Sequence, residues 1–347
     1  MRRAPADLQR FAPLPGRSFI VMPDGTIKVD PAKRHIMPYW LVTEPEEITV
    51  PAATEMCPGV VRGGNVAQPI PLPIDDKGPF EVCYSAFAAK FAAGPQAGQP
   101  TDQFMVVIFD PQYRPLLMNR EIHARTLGGG FGSAPSGAGW GTAFASAGGR
   151  PLVWPETFFM EPTQGGRCLF MGFRNLNTQP IKIRWTFHGV RYYHLQAYKE
   201  ALAEKAKVVG RERFTFPYFY TTDTNVRLEA DAGAEYDIRV TDEADLEIFK
   251  MTHFSDAEFL WRIQEKAGKR FLDSAGQSAT GGPHGVHSSF GWGDAEFPFI
   301  TFETMYYERN FKIMLALANT LSTEPNRIFA TLISRKIEHK GGMRCLA

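Results

Sequence analysis

The plainest pattern in the chain is Ile181-Lys182-Ile183-Arg184-Trp185-Thr186-Phe187, in which apolar and polar residues alternate without a break. A period of two places the apolar side chains on one face, as in an antiparallel strand half buried against a core. Related runs predict strands at 47–50, 80–84, 105–109 and 168–173 in the first half. In the second half they predict strands at 226–228, 236–240, 246–249, 259–263, 311–317 and 328–333. Residues 312–317 are more continuously apolar, so that strand should be covered on both faces. Near the start, Phe19-Ile20-Val21-Met22 and Thr26-Ile27-Lys28-Val29 flank Pro23-Asp24-Gly25, and the Asp-Gly pair signals a hairpin turn. One stretch departs from the β pattern. In 195–210, Leu195, Tyr198, Leu202 and Ala206 share a helical face, and Gly210 can end the helix in the left-handed conformation. The stripe is short and contains acids, which suits a connector between domains better than a calmodulin target.

The apolar blocks also repeat. Met37-Pro38-Tyr39-Trp40 and Thr43 recur as Phe216-Pro217-Tyr218-Phe219 and Thr222. FMVVIFD from Phe104, followed by Arg114 and Leu117, recurs as FLWRIQE from Phe259, followed by Lys269 and Leu272. PLVWPETFFME from Pro151 recurs as PFITFETMYYE from Pro298, which aligns Glu156-Thr157 with Glu303-Thr304. NLNTQPIKIRWTF from Asn175 recurs as NTLSTEPNRIFATL from Asn319, aligning Pro180 with Pro325 and Thr186 with Thr331. The shared order of four blocks predicts a tandem domain duplication, since two long copies are too few for a solenoid. The expected division is an N-terminal arm at 1–36, a β-sandwich at 37–194, a linker helix at 195–210, a second β-sandwich at 211–340 and a tail at 341–347. Duplicated scaffolds usually present surfaces, which points toward a structural or binding role.

Composition supports this plan. At 347 residues the chain is long enough for two domains, each with its own core. The 27 phenylalanines, 32 glycines and 26 prolines suit a loop-rich β protein. With 38 basic and 37 acidic residues the net charge is +1, so nothing suggests electrostatic capture of nucleic acid or of an anionic membrane. The start, MRRAPADLQRFAPLPG, lacks the apolar region of a secretory signal. No apolar run approaches the ~20 residues of a spanning helix. Cys57, Cys83, Cys168 and Cys345 form no Cys-x-x-Cys pair; free thiols in a reducing cytosol are the first reading and disulfides the alternative.

Each copy carries a glycine-rich excursion, at 126–150 and at 274–296. Loops longer than ~12–15 residues without regular structure are uncommon in compact domains and are usually functional or disordered. Both centre on Gly-Trp-Gly, at Trp140 and Trp292. Two readings stand: each tryptophan is a peg that docks into a neighbour, or a lid on its own sandwich. Phe131 and Phe290, in the same loops, join them as candidate interface residues.

Candidate chemistry is thin. Gly128-Gly129-Gly130-Phe131-Gly132 lacks the Gly-Lys-Ser/Thr ending of a phosphate loop, and there is neither a Gly-x-Ser-x-Gly elbow nor a His-Glu-x-x-His helix. His284 and His287, with Asp294 as a third, are weak metal-ligand candidates, fewer than the full set a zinc site demands. His123 and His188 sit beside β runs and read as structural, hydrogen-bonded histidines. Glu156 and Glu303 could suggest the carboxylate pair of a glycosidase, but they occupy equivalent places in separate copies. An inherited turn or strand start explains them without chemistry. No catalytic residue and no cofactor are expected.

The segments at 151–162 and 173–193, with 298–308 and 319–337 as a degenerate second copy, resemble those of tailed-bacteriophage virion proteins of the β-sandwich or jelly-roll kind. The second copy departs from the first, with Phe302-Glu303 for Pro155-Glu156 and Glu308-Arg309 for Glu161-Pro162, so the halves should make different contacts. The resemblance implies a non-enzymatic virion protein, such as a capsid decoration, collar or tail component, assembled in the bacterial cytoplasm. Its partners would be copies of itself and other virion proteins, with no nucleic acid and no membrane. The fold expected is all-β: two tandem antiparallel jelly-roll-like sandwiches, a short joining helix and an N-terminal arm. A double jelly-roll major capsid protein is a close variant. A carbohydrate-binding module or glycosidase on a sandwich scaffold is the rival from another class.

Overall fold

The alternating run at 181–187 forms the first part of a longer strand, Ile181–Tyr192, whose Ile181, Ile183, Trp185 and Phe187 are buried. The computed structural model describes residues 19–22, 26–29, 36–43, 46–52, 70–72, 78–110, 115–128, 132–133, 141–142, 154, 156–160, 169–208, 213–222, 227–239, 244–265, 278–280, 286–287, 299–308, 310 and 312–339. Chain contacts divide it into two compact units, Met1–Leu117 with His123–Glu212, and Met118–Ile122 with Arg213–Ala347.

The principal strands of the first unit are β1 (Ile36–Val42), β2 (Ile70–Leu72), β3 (Phe80–Phe91), β4 (Phe104–Phe109), β5 (Ile122–His123), β6 (Phe158–Met160), β7 (Leu169–Asn175) and β8 (Ile181–Tyr192). They form two sheets, in the orders β1-β8-β3-β6 and β2-β7-β4-β5. Short segments extend the first sheet: Ile48–Val50 pairs with β8, and Gly141–Thr142 joins β3 to Gly132–Ser133. The strand order first-eighth-third-sixth over second-seventh-fourth-fifth is that of a jelly roll, two Greek keys folded into a sandwich. Aromatic rings fill the space between the sheets. Trp185 stacks on Phe87 with ring centroids 5.3 Å apart, and Phe104 and Phe173 meet them from the opposite sheet.

The second unit repeats this plan. Its strands are β9 (Arg213–Thr221), β10 (Gly233–Arg239), β11 (Ala244–Ser255), β12 (Phe259–Glu265), β13 (Ser278–Thr280), β14 (Phe299–Tyr307), β15 (Lys312–Asn319) and β16 (Asn326–His339). The sheets run β9-β16-β11-β14 and β10-β15-β12-β13, so each strand pairs as its counterpart eight numbers lower does. The core is built mainly from aliphatic residues, among them Ile238, Leu246, Ile248, Leu315 and Leu332, with Trp261 and Phe259. On β15, Ile313, Met314, Leu315 and Leu317 are buried, in keeping with the two-faced cover expected there, while Ala316 is half-buried.

Equivalence extends to single residues. Asn175 donates from Nδ2 to the carbonyls of Pro51 and Gln179, and Asn319 does the same to Glu229 and Glu324. Each asparagine also accepts the backbone N–H two residues on, in an Asx turn that closes the loop between the last two strands. Thr43 N–H donates to the Trp185 carbonyl at 3.2 Å, and Thr222 N–H to the Ala330 carbonyl at 3.1 Å. Both third strands carry a β-bulge at one place: Cys83 is the extra residue in β3 and Phe249 in β11. Beside that bulge Gly189 leaves no room for a side chain, because a Cβ would sit 1.9 Å from the Glu81 carbonyl oxygen.

The hairpin expected near the start pairs Phe19–Val21 with Ile27–Val29, closed by Met22 N–H donating to Thr26 O at 2.8 Å. The predicted helix spans Leu195–Val208. A second, short helix, Ala124–Gly128, lies where the pattern suggested only a glycine-rich excursion. Tertiary contacts override the local pattern there. Leu127 is fully buried, and its carbonyl accepts from Ser85 Oγ at 2.9 Å and Trp154 Nε1 at 3.4 Å. No helix among the described residues is long and apolar enough to cross a membrane.

Candidate functional site

The glycine-rich loops lie largely outside the described residues. Trp140, Trp292, Phe131, Phe290, His284 and Asp294 lie outside the described residues. His287 belongs to a two-residue strand, Val286–His287, paired with β12 through Leu260, and its side chain lies outside the description. So does that of Glu303, within β14. Cys57, Cys168 and Cys345 are likewise outside it; Cys83 is buried, with its thiol 4.0 Å from the Glu81 carbonyl oxygen. Among the described residues, no group of three or more His, Cys, Asp or Glu is placed to hold a metal ion.

What the fold does assemble is an aromatic row across the first sheet. β1 is the edge strand, and its register on β8 sets Trp40 opposite His188, which in turn lies opposite Tyr84 of β3. The His188 ring stacks on Tyr84 at 4.7 Å and 13°, and on Trp40 at 5.3 Å and 47°. Burial lowers the His188 pKa to about 4, because the charged imidazolium would lose its hydration between two rings. His188 is therefore a neutral ring near pH 7. The expected structural role is met mainly by stacking. His123, by contrast, accepts the Arg125 N–H at Nδ1, 3.4 Å away.

Trp40 itself is 67% exposed, and Met37, Val42, Tyr193 and Leu195 are also exposed. Beside this apolar strip the charges are paired off. Glu47 meets Lys182 at 2.5 Å and Arg184 at 3.4 Å, and Glu46 meets Arg184 at 3.7 Å. The Lys182 hydrogen bond holds the Glu47 carboxyl below the usual carboxylate range.

Farther along the same sheet, Glu81 is buried and accepts from Thr157 Oγ1 and Tyr192 Oη, both at 2.5 Å. Thr157 N–H donates to Glu156 Oε1 at 3.1 Å. This joins β3, the start of β6 and the end of β8, so the Glu-Thr pair of the repeat fastens a strand start. Tyr192 also packs against Phe159 and Tyr198, the latter from the helix Leu195–Val208.

In the second unit the same positions are closed. Phe219 and Ile333, the counterparts of Trp40 and His188, are fully buried, and so is Thr331. Tyr218 and Tyr220 pack on the core, so Phe219 between them faces the other side of the sheet. The free edge of β9 is met by Met118 and Asn119, which belong to this unit. Met118 bridges Phe219 in parallel, Asn119 N–H donates to Phe219 O at 3.3 Å, and Asn119 and Thr221 exchange two bonds of 2.9 Å. The sequence did not single out Trp40 as functional. Its alignment with Phe219 in the repeat was the available signal.

No family model and no curated protein matches the chain. Among solved structures it is similar to a chain in the atomic structure of the Sulfolobus turreted icosahedral virus, at 10% identity and a TM-score of 0.25. It is similar, at 11% identity and a TM-score of 0.24, to a chain of an archaeal virus described by its triple jelly roll fold and turret assembly. Both likenesses cover 85% of this chain, which spans 60% of the length of those proteins. PNGF-II is similar at 10% identity and a TM-score of 0.31, over 86% of this chain and 66% of its own.

Proposed function

We propose that this protein is a non-enzymatic structural subunit of a bacteriophage virion, of the double jelly-roll capsid kind. One observation carries the reading: two tandem units with the same jelly-roll strand order and register, down to a shared bulge. Viral capsids are a recurrent use of this sandwich, whose end loops vary while the core stays fixed. On this reading residues 37–194 and 211–340 are the two jelly rolls, 195–210 links them, and 1–36 is an arm ordered by a neighbour. The near-neutral charge supports assembly with copies of itself and other virion proteins, rather than capture of nucleic acid or membrane. Trp140 and Trp292, with Phe131 and Phe290, remain candidate pegs at such contacts.

The test is to express the full chain and measure particle mass against concentration, with electron microscopy of the product. Discrete, symmetric assemblies are expected. A chain that stays monomeric at every concentration and binds defined sugars on a glycan array overturns the proposal in favour of a carbohydrate-binding sandwich.

A further inference from the structure

We infer that Asn119 is an edge cap: its side-chain amide stands in for a neighbouring strand on β9 and keeps that strand from pairing with other chains. The inference is independent of the assembly reading above.

The strand itself supplies the need. β9 reads RFTFPYFYT, with five aromatic residues and Arg213 as its single charge. From Tyr218 to Thr222, YFYTT, neither a charge nor a proline interrupts it. It is the outer strand of its sheet, with β16 on one side. On the other side, the described residues that meet it are Met118 and Asn119, of the same unit. Uncharged aromatic strands with an open edge are templates for intermolecular pairing, and folded proteins blunt or cover such edges.

Alternation along an antiparallel strand fixes which groups need cover. Thr222 N–H donates to Ala330 O of β16 at 3.1 Å. Tyr218, Tyr220 and Thr222 therefore turn their main-chain groups toward β16, while Pro217, Phe219 and Thr221 turn theirs away. Proline at 217 has no N–H to present there. Asn119 takes three of the groups that remain. Its own N–H donates to Phe219 O at 3.3 Å, its Oδ1 accepts the Thr221 N–H at 2.9 Å, and its Nδ2 donates to Thr221 O at 2.9 Å. A carboxamide that both accepts from and donates to one residue repeats the paired exchange of an antiparallel ladder. Met118 bridges Phe219 beside it, and Met118, Phe219 and Thr221 are all buried. The two carboxamide bonds thus fasten this segment over the strand. Without them it lifts more often, and the edge opens to water and to other strands.

The experiment follows amide hydrogen exchange and solubility of the full chain, for the wild type, Asn119→Leu and Asn119→Asp, with a thermal melt to confirm folding. Leucine is close to asparagine in shape and removes both carboxamide bonds. Aspartate can accept from the Thr221 N–H but cannot donate to its carbonyl. In the wild type the Thr221 amide should exchange as slowly as that of Thr222, which is bonded within the sheet. In Asn119→Leu it should exchange roughly tenfold faster, the scale of two lost hydrogen bonds, and in Asn119→Asp the rise should be smaller. The leucine variant should also form β-rich aggregates, seen as an intermolecular β band in the infrared, at concentrations where the wild type forms none. A wild-type Thr221 amide that exchanges like an open edge, or a folded leucine variant that exchanges like the wild type, overturns the cap. Faster exchange without β-rich association overturns the guarding role and leaves Asn119 a tie within its own unit. Should the leucine variant not fold, the aspartate variant decides on the same two readouts. Discrete particles, formed or not, bear on the assembly reading alone.

Discussion

Trp40 and Phe219 occupy the same place in two copies of one sheet, yet one is mostly exposed and the other fully buried. The rows behind them differ in the same sense. Trp40 is followed by a stacked His188 and Tyr84, whereas Phe219 is followed by Ile333 and Lys250. The cores diverge too: the first is packed with Trp185, Phe87, Phe104 and Phe173, while the counterpart of Trp185 is Ala330. Hydrogen bonds hold the asparagine loops and the Thr43 and Thr222 strand ends alike in both units, while side-chain volume and surface character differ. Register is the conserved quantity, because a slip by one residue would turn every core side chain outward.

The comparison is broken most severely in the aromatic core. Trp185→Ala should cost about 3–5 kcal/mol, since the first unit has packed around a ring that the second does without. Urea unfolding followed separately in each unit would show the first transition moving alone; a loss under about 1 kcal/mol would mean the stack is not holding the sandwich.

Next in size is the acid response of His188. Its pKa is about 4 folded against 6.5 as the ordinary value, so the unfolded chain takes up a proton first as pH falls. Stability is complete above pH 6.5 and is lost between 6.5 and 4, by up to about 3 kcal/mol. Urea midpoints at pH 7 and pH 4 test this, and His188→Phe, which keeps a flat ring, should remove that part of the pH dependence. The second unit, with Ile333 there, has no such group at this position.

The paired asparagines sharpen the comparison from the other side. Asn175→Ala and Asn319→Ala each strand buried carbonyls and an Asx turn, so each should cost about 2 kcal/mol, and nearly equally. Equal shifts in melting temperature, unit by unit, would confirm that the loops are energetically as well as geometrically equivalent. The smallest effect is at the exposed ion pairs: Glu47→Gln should change stability by less than about 1 kcal/mol and respond to salt. A larger change in a denaturant titration would show that this corner is more buried than its geometry indicates.

Much of the sandwich was legible in the sequence, for a physical reason. Strands with one wet face alternate, and Ile181 to Phe187 marks such a strand directly. Beyond Phe187 the strand continues to Tyr192, but those residues are buried on both faces, so the alternation fails before the strand does. In the sequence β1 reads as a repeated block and not as a strand. Pro38 breaks the pattern, and an edge strand is where a proline is tolerated; Pro217 stands at the same place in β9. The bonding of Met118 and Asn119 to β9 has no local signature, because it depends on a fold that brings together residues about a hundred positions apart. The loop tryptophans stand out by composition, whereas the character of Trp40 shows only beside a buried Phe219.

The bulge at Cys83 and Phe249 has a consequence for the shape of each sheet. An extra residue unpaired at one point bends its strand and tightens the local right-handed twist. Both third strands are therefore bent at the same place, and in the first unit the neighbouring strand meets that bend with Gly189, where a Cβ would collide with the Glu81 carbonyl.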